Sequence, residues 1–168
     1  MFNFISFENI DTVDTYENPK GIVAVSSDSK VTVLAYPDKT KGFVRVKSYD
    51  KSMTTLINAH ESAIACLALN FDGTLIATAS DKGTLIRIYS ATDGSSILQE
   101  VRRGAEKAEI YSLAYDPLSK FLACSSDRGT VHIFSLATAN KKLNEGAGEE
   151  NHPKEKEEIT EPKNQKSL

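Results

Sequence analysis

The chain has 168 residues, enough for one domain with a substantial core. Its 40% hydrophobic and 26% charged residues are ordinary for a globular protein. A formal net charge of -3 excludes a global pull toward nucleic acid or an acidic membrane, so any anion site must be a local cluster.

The N-terminus, Met1-Phe-Asn-Phe-Ile-Ser-Phe-Glu-Asn-Ile-Asp11, lacks a basic region and an extended apolar core, which argues against a signal peptide. No run approaches the roughly 18 apolar residues of a membrane span. Next come Asn18-Pro-Lys-Gly21 and a strand-like stretch, Ile22-Val-Ala-Val-Ser-Ser-Asp-Ser-Lys-Val-Thr-Val-Leu-Ala-Tyr36. Two closer copies of one pattern follow. In the first, Ile64–Asn70, Asp72-Gly73 and Thr74–Tyr89 surround Ser80-Asp-Lys-Gly-Thr84; in the second, Ile110–Asp116 and Lys120–Phe134 surround Ser126-Asp-Arg-Gly-Thr130. The Ser-Asp-basic-Gly-Thr block thus recurs 46 residues apart, and Ser27 lies 53 residues before Ser80 as a weaker copy.

Each unit is a set of short strands rich in Val, Ile, Leu and aromatics, separated by Asp, Gly, Pro, Ser and Lys turns. This predicts an all-β fold, a partial WD-type β-propeller of about three antiparallel blades over residues 1–138. Thr84 is three positions from Arg87 and Thr130 two from His132, which predicts a β-bulge that aims Arg87 to the place of His132. Cys66 and Cys124 are isolated within apolar strands and read as buried, reduced thiols, pointing to a cytosolic address. From Ala139 the composition turns Lys/Glu-rich with no aromatic residue, so residues 139–168 are expected to be a disordered, solvated tail.

The chemistry-bearing motif is Val101-Arg102-Arg103-Gly104, at the end of the strand-like Ser96–Val101 and between the two best repeats. Successive side chains of a strand point to opposite faces, so the two arginines diverge toward two grooves. Gly104 gives the chain a turn residue beside them. A guanidinium suits phosphate because its planar fork donates two hydrogen bonds at once.

With Asn58-Ala-His60-Glu-Ser-Ala-Ile-Ala-Cys66 and Ser80–Arg87 before it and Ser125–Phe134 after it, this motif resembles the Phe/Leu-Arg-Arg-Gly signature of the PROPPIN family. Those proteins are WD-type propellers with a phosphoinositide pocket on each side of the motif. The resemblance covers residues 10–136 and places them in the family's fourth to sixth blades, with Asn18–Gly21 leading into the fourth. It implies a first pocket of His60, Thr78, Ser80, Thr84, Arg87 and Arg102. A second would use Arg103, Ser125, Ser126, Thr130 and His132. It further implies binding of phosphatidylinositol 3-phosphate and 3,5-bisphosphate, with autophagy proteins as partners. The address would be cytoplasmic, peripherally on phosphoinositide-bearing membranes such as the preautophagosomal structure, endosome or vacuole. Val101 stands where the family has Phe or Leu, and Trp is absent altogether. A family propeller has seven blades; this chain holds about three, and its charged tail occupies the place of the sixth-blade loop, near Leu136.

No nucleophile–base–orienter set, metal-spaced His/Cys cluster or P-loop is present, so neither an enzyme nor a cofactor is expected. Nucleic acid is not an expected partner. The hydroxyls and histidines can equally serve the fold, since such side chains satisfy the backbone at turns and strand ends. Asp81 and Asp127 read as turn residues. The competing readings are a protein-interaction propeller that binds no lipid and a truncated, inactive fragment.

Overall fold

The computed structural model describes residues 8–147. β1 (Ala24–Val25), β2 (Val33–Pro37), β3 (Phe43–Ser48) and β4 (Met53–Asn58) form one antiparallel sheet in chain order. β5 (Ile64–Leu69), β6 (Leu75–Ser80), β7 (Leu85–Ser90) and β8 (Ile97–Arg102) form the second. β9 (Ile110–Tyr115), β10 (Phe121–Ser126) and β11 (Val131–Ser135) form the third. Among the described residues the architecture is therefore the expected one, three adjacent antiparallel sheets.

The sheets stack through two apolar layers. Val33, Ala35, Val44, Val46 and Ile57 of the first sheet meet Ile64, Leu67, Ile76 and Tyr89 of the second. The opposite face of the second sheet, with Leu75, Ala77, Ala79, Ile86 and Ile88, meets Ile110, Leu113, Leu122 and Cys124 of the third. The burial of each strand follows from this order. β6 is buried at all six positions because a sheet covers each of its faces, whereas β10 alternates because only one of its faces is covered.

Glycine sets the spacing of the stack at two turns. Gly42 and Gly83 have φ of +82° and +64°, a conformation that disfavours any side chain. A Cβ on Gly42 would lie 1.9 Å from the His60 carbonyl oxygen, and one on Gly83 would lie 1.9 Å from that of Ala108. In both cases the chain entering the next sheet runs directly against the turn.

Three expectations change. The upstream repeat is shifted: Ser27 lies between β1 and β2, whereas Ser80 ends the second strand of its sheet. The turn equivalent to Ser80–Thr84 is Asp38–Gly42, as the matching contacts of Gly42 and Gly83 show. The extra residue before Arg87 forms no bulge. β6 and β7 pair regularly from Leu75↔Ser90 to Ala79↔Ile86, so the turn over 80–85 absorbs it; Ser125↔Val131 leaves only 126–130. Arg87 opposite Thr78 still holds the rank of His132 opposite Cys124.

The third change concerns the tail. Its first residues belong to α1 (Ala137–Ala147), which packs on β8 and β7. Leu136, Ala139 and Leu143 join the layer between the second and third sheets, a helical stripe that the Lys-rich composition conceals. Gln99 secures the start of α1, its Oε1 accepting from the Ala139 amide at 3.0 Å and its Nε2 donating to the Ser135 carbonyl at 2.8 Å. The expected disorder of residues 148–168 lies outside the described residues. Cys66 is half-buried and Cys124 buried, both as free thiols whose pKa burial raises.

Candidate anion-binding grooves

Alternation and register place the predicted residues. In the second sheet Thr78 pairs with Arg87 and Arg87 with Glu100, so these three side chains share one face. Ser80, two residues beyond Thr78, and Arg102, two beyond Glu100, lie on that face too. It is the face turned to the first sheet, and His60 comes in from the segment joining the two sheets. The first groove therefore gathers His60, Thr78, Ser80, Arg87 and Arg102, with Thr84 in the turn above them.

His60 and Thr78 are bonded to one another, and Arg87 is bonded to its surroundings. His60 Nε2 and Thr78 Oγ1 share a buried hydrogen bond of 3.0 Å. Arg87 donates from Nη1 to the Ala59 carbonyl at 2.7 Å and from Nε to Glu100 Oε2 at 2.8 Å. Tyr89 Oη donates to the same Ala59 carbonyl at 3.1 Å. Glu100, through its hydrogen bond, raises the Arg87 pKa further. Burial, helped by the Arg87 charge, lowers the His60 pKa to about 4, so its imidazole is neutral near pH 7. Arg102 is exposed and holds no ion pair among the described residues.

Arg103 behaves differently from its neighbour. It is buried, its Nε donates to the Gly83 carbonyl at 2.7 Å, and its Nη2 donates to the Glu106 carbonyl. Its positive charge reaches Cys124, on the third-sheet side. The two arginines thus part toward different grooves, but Arg103 also braces the turn at Gly83 and the segment leading to the third sheet.

Across the second groove stand His132 and the buried Ser126, on the face of the third sheet turned to the second. Thr130 Oγ1 and His132 Nε2 share a 3.1 Å hydrogen bond, and the His132 ring stacks on Phe134 at 6.1 Å between centroids. Ser125 is not brought into this groove. It pairs with Val131 and Ser112, so its side chain lies on the opposite, uncovered face.

Sequence reasoning missed Glu100 because a carboxylate in an anion groove is visible only through cross-strand register. It also missed a hollow of about 540 Å³ lined by Lys20, Asp81, Lys107, Glu109, Asp127 and Arg128. That hollow is charge-balanced: Lys20 pairs with Glu109, and Asp127 accepts from the Glu109 amide at 3.1 Å. It is a poor anion site. No cluster of metal-ligating side chains occurs among the described residues, and no helix there is long and apolar enough to cross a membrane.

The family model described as PROPPIN matches residues 5–150. The chain belongs to the PROPPIN family. This PROPPIN chain is 46% identical over 135 residues to Autophagy-related protein 18e of Arabidopsis thaliana, covering 80% of itself and 35% of that protein. It is 41% identical over 127 residues to SVP1-like protein 2 of Neurospora crassa, covering 76% of itself and 28% of the relative. It spans about a third of the length of these curated relatives. Among solved structures it is similar to Kluyveromyces lactis Hsv2p, with a TM-score of 0.61 at 28% identity over 71% of this chain and 39% of that one. The complex of KlAtg21 with the coiled-coil of AgAtg16 matches with a TM-score of 0.68 at 28% identity, over 81% and 46%.

Proposed function

We propose that this PROPPIN chain is a phosphoinositide-reading, peripheral membrane module of an autophagy-type recruitment scaffold. The single observation that carries the reading is the parting of Arg102 and Arg103 at the end of β8. Arg102 lies exposed toward the first groove, where His60, Thr78 and Ser80 are buried, and Arg103 lies buried toward the second, where Thr130 is exposed and His132 half-buried. Arginine neutralises a phosphate, hydroxyls donate to its oxygens or to inositol hydroxyls, and the net charge of -3 keeps general anionic attraction low. Family membership supports phosphatidylinositol 3-phosphate and 3,5-bisphosphate as the ligands, with action at the cytoplasmic face of membranes that carry them.

A second reading, a scaffold that binds a protein rather than a lipid, is favoured by the relative solved with a coiled-coil on it. Vesicle flotation separates the two. The chain is expected to float with vesicles containing phosphatidylinositol 3-phosphate and not with vesicles of phosphatidylserine alone. Arg102→Thr removes one charge-assisted contact set, worth about 1.5–3 kcal/mol, and two-site avidity on a membrane amplifies the loss. Its thermal melting is expected to stay that of the parent, because Arg102 is exposed. Equal flotation of parent and Arg102→Thr with phosphoinositide vesicles refutes lipid reading by this groove.

A further inference from the structure

Glu100 is the one carboxylate that the register of the second sheet places in the first groove, opposite Arg87 on the neighbouring strand. Its Oε2 accepts from Arg87 Nε at 2.8 Å, with the side chains 40% and 26% exposed respectively. The second fixed partner of Arg87 is a backbone carbonyl, that of Ala59, which no substitution or protonation removes. Arg102 lies two residues along β8 on the same face as Glu100 and is exposed. A ligand that bridges Arg87 and Arg102 must therefore take the place of the Glu100 carboxylate or accept its charge as a neighbour.

We propose that Glu100 is a resident anion that sets the affinity threshold of the first groove, which a phosphate monoester on inositol clears and a singly charged anion does not. This rests on the lipid-reading function above. The reason is an exchange of partners. A carboxylate or a phosphodiester brings one negative charge, so displacing Glu100 replaces one ion pair of Arg87 with another of the same kind. A phosphate monoester brings about 1.5–2 negative charges and three acceptor oxygens, and it bonds Arg87 and Arg102 together. Glu100 therefore subtracts similar amounts from both classes, and only the monoester has a surplus left. In the empty groove Glu100 also holds the Arg87 guanidinium in one orientation.

The test compares parent, Glu100→Gln, Glu100→Asp and Asp14→Asn. Asp14→Asn removes the same unit of charge from an exposed pair with Lys39 on the N-terminal segment. Probes are phosphatidylserine vesicles, phosphatidylinositol 3-phosphate vesicles and soluble inositol 1,3-bisphosphate, the last separating the headgroup from the lipid surface. Glu100→Gln is expected to bind all three more tightly, by about 2- to 5-fold, the range of a partly exposed ion pair. The fold gain is similar on each probe, so binding to phosphatidylserine vesicles rises with the rest while the preference for phosphoinositide is kept. Glu100→Asp, with the charge kept but drawn back, falls between, and Asp14→Asn matches the parent. The proposal is overturned if Glu100→Gln equals or falls below the parent, or if Asp14→Asn gives the same gain. Failure of the functional reading looks different, since Arg102→Thr then binds like the parent on every probe. If neither parent nor Glu100→Gln binds a phosphoinositide vesicle, both fall.

Discussion

At the scale of single residues, His60 joins fold and site. It is buried, bonded to Thr78, and its pKa lies near 4, where a free histidine has about 6.5. The folded state thus favours the neutral ring, and the unfolded chain takes up the proton first as pH falls. The stability that His60 contributes is complete above pH 6.5 and is lost as pH falls toward 4. The loss is roughly 3 kcal/mol at about 1.36 kcal/mol per pH unit. Urea midpoints measured from pH 7.5 to 5 are expected to drop in the parent and to change much less in His60→Gln. An unchanged slope in the variant places the titration elsewhere. The residue types of this site were legible in the sequence, because Arg, His and hydroxyls at the repeat turns are what an anion requires. Their partners were not. That Arg87 is held by Glu100, that Arg103 is tied to the Gly83 and Glu106 carbonyls, and that Ser125 faces away all depend on register.

At the scale of elements, the turn glycines explain how one sheet is set against the next. Gly83→Ala places a Cβ against the Ala108 carbonyl in a left-handed backbone, two penalties at once. Gly129, its counterpart 46 residues on, has φ of +69° but nothing within 4 Å of its missing Cβ. Gly129→Ala is expected to cost only the backbone strain, about 1–2 kcal/mol, and Gly83→Ala clearly more. Denaturant melts of the two variants check this, and equal losses would show that the contact at Ala108 relaxes freely. The same scale contains the misreading of α1. Composition averages over Lys, Asn and Glu, whereas the helix is held by Leu136 just before it, by Ala139 and Leu143 on it, and by the side-chain amide of Gln99. Only the sheets that receive it make that stripe meaningful.

At the scale of the molecule, the repeat shows what covering a face does. Ile86 and Ile88 flank Arg87 and are 0% exposed beneath the third sheet. Val131 and Ile133 flank His132 at the same ranks and are 67% and 70% exposed, because no described residue packs on that face. Equivalent changes should therefore diverge. Ile86→Thr with Ile88→Thr is expected to cost several kcal/mol, as buried polar groups and lost core volume do. Val131→Thr with Ile133→Thr should stay within about 1 kcal/mol, since exposed strand positions tolerate polar side chains. It should also reduce dye binding to exposed apolar surface. Thermal melts and dye fluorescence read the two effects, and a large loss of stability in the second pair would show that this face is covered in solution.

The sequence by itself determined the all-β class, the turns, the spacing of the repeat and the residue types of the candidate site. These depend on side-chain period and turn chemistry, which are local. The tertiary structure alone decided the register of the weak first repeat and the fate of the extra residue before Arg87. It also decided the helix after Leu136 and the partners of each arginine. The physical reason is the same in each case. A strand fixes which side chains alternate, but only its pairing with a neighbour and the stacking of sheets fix what each side chain meets.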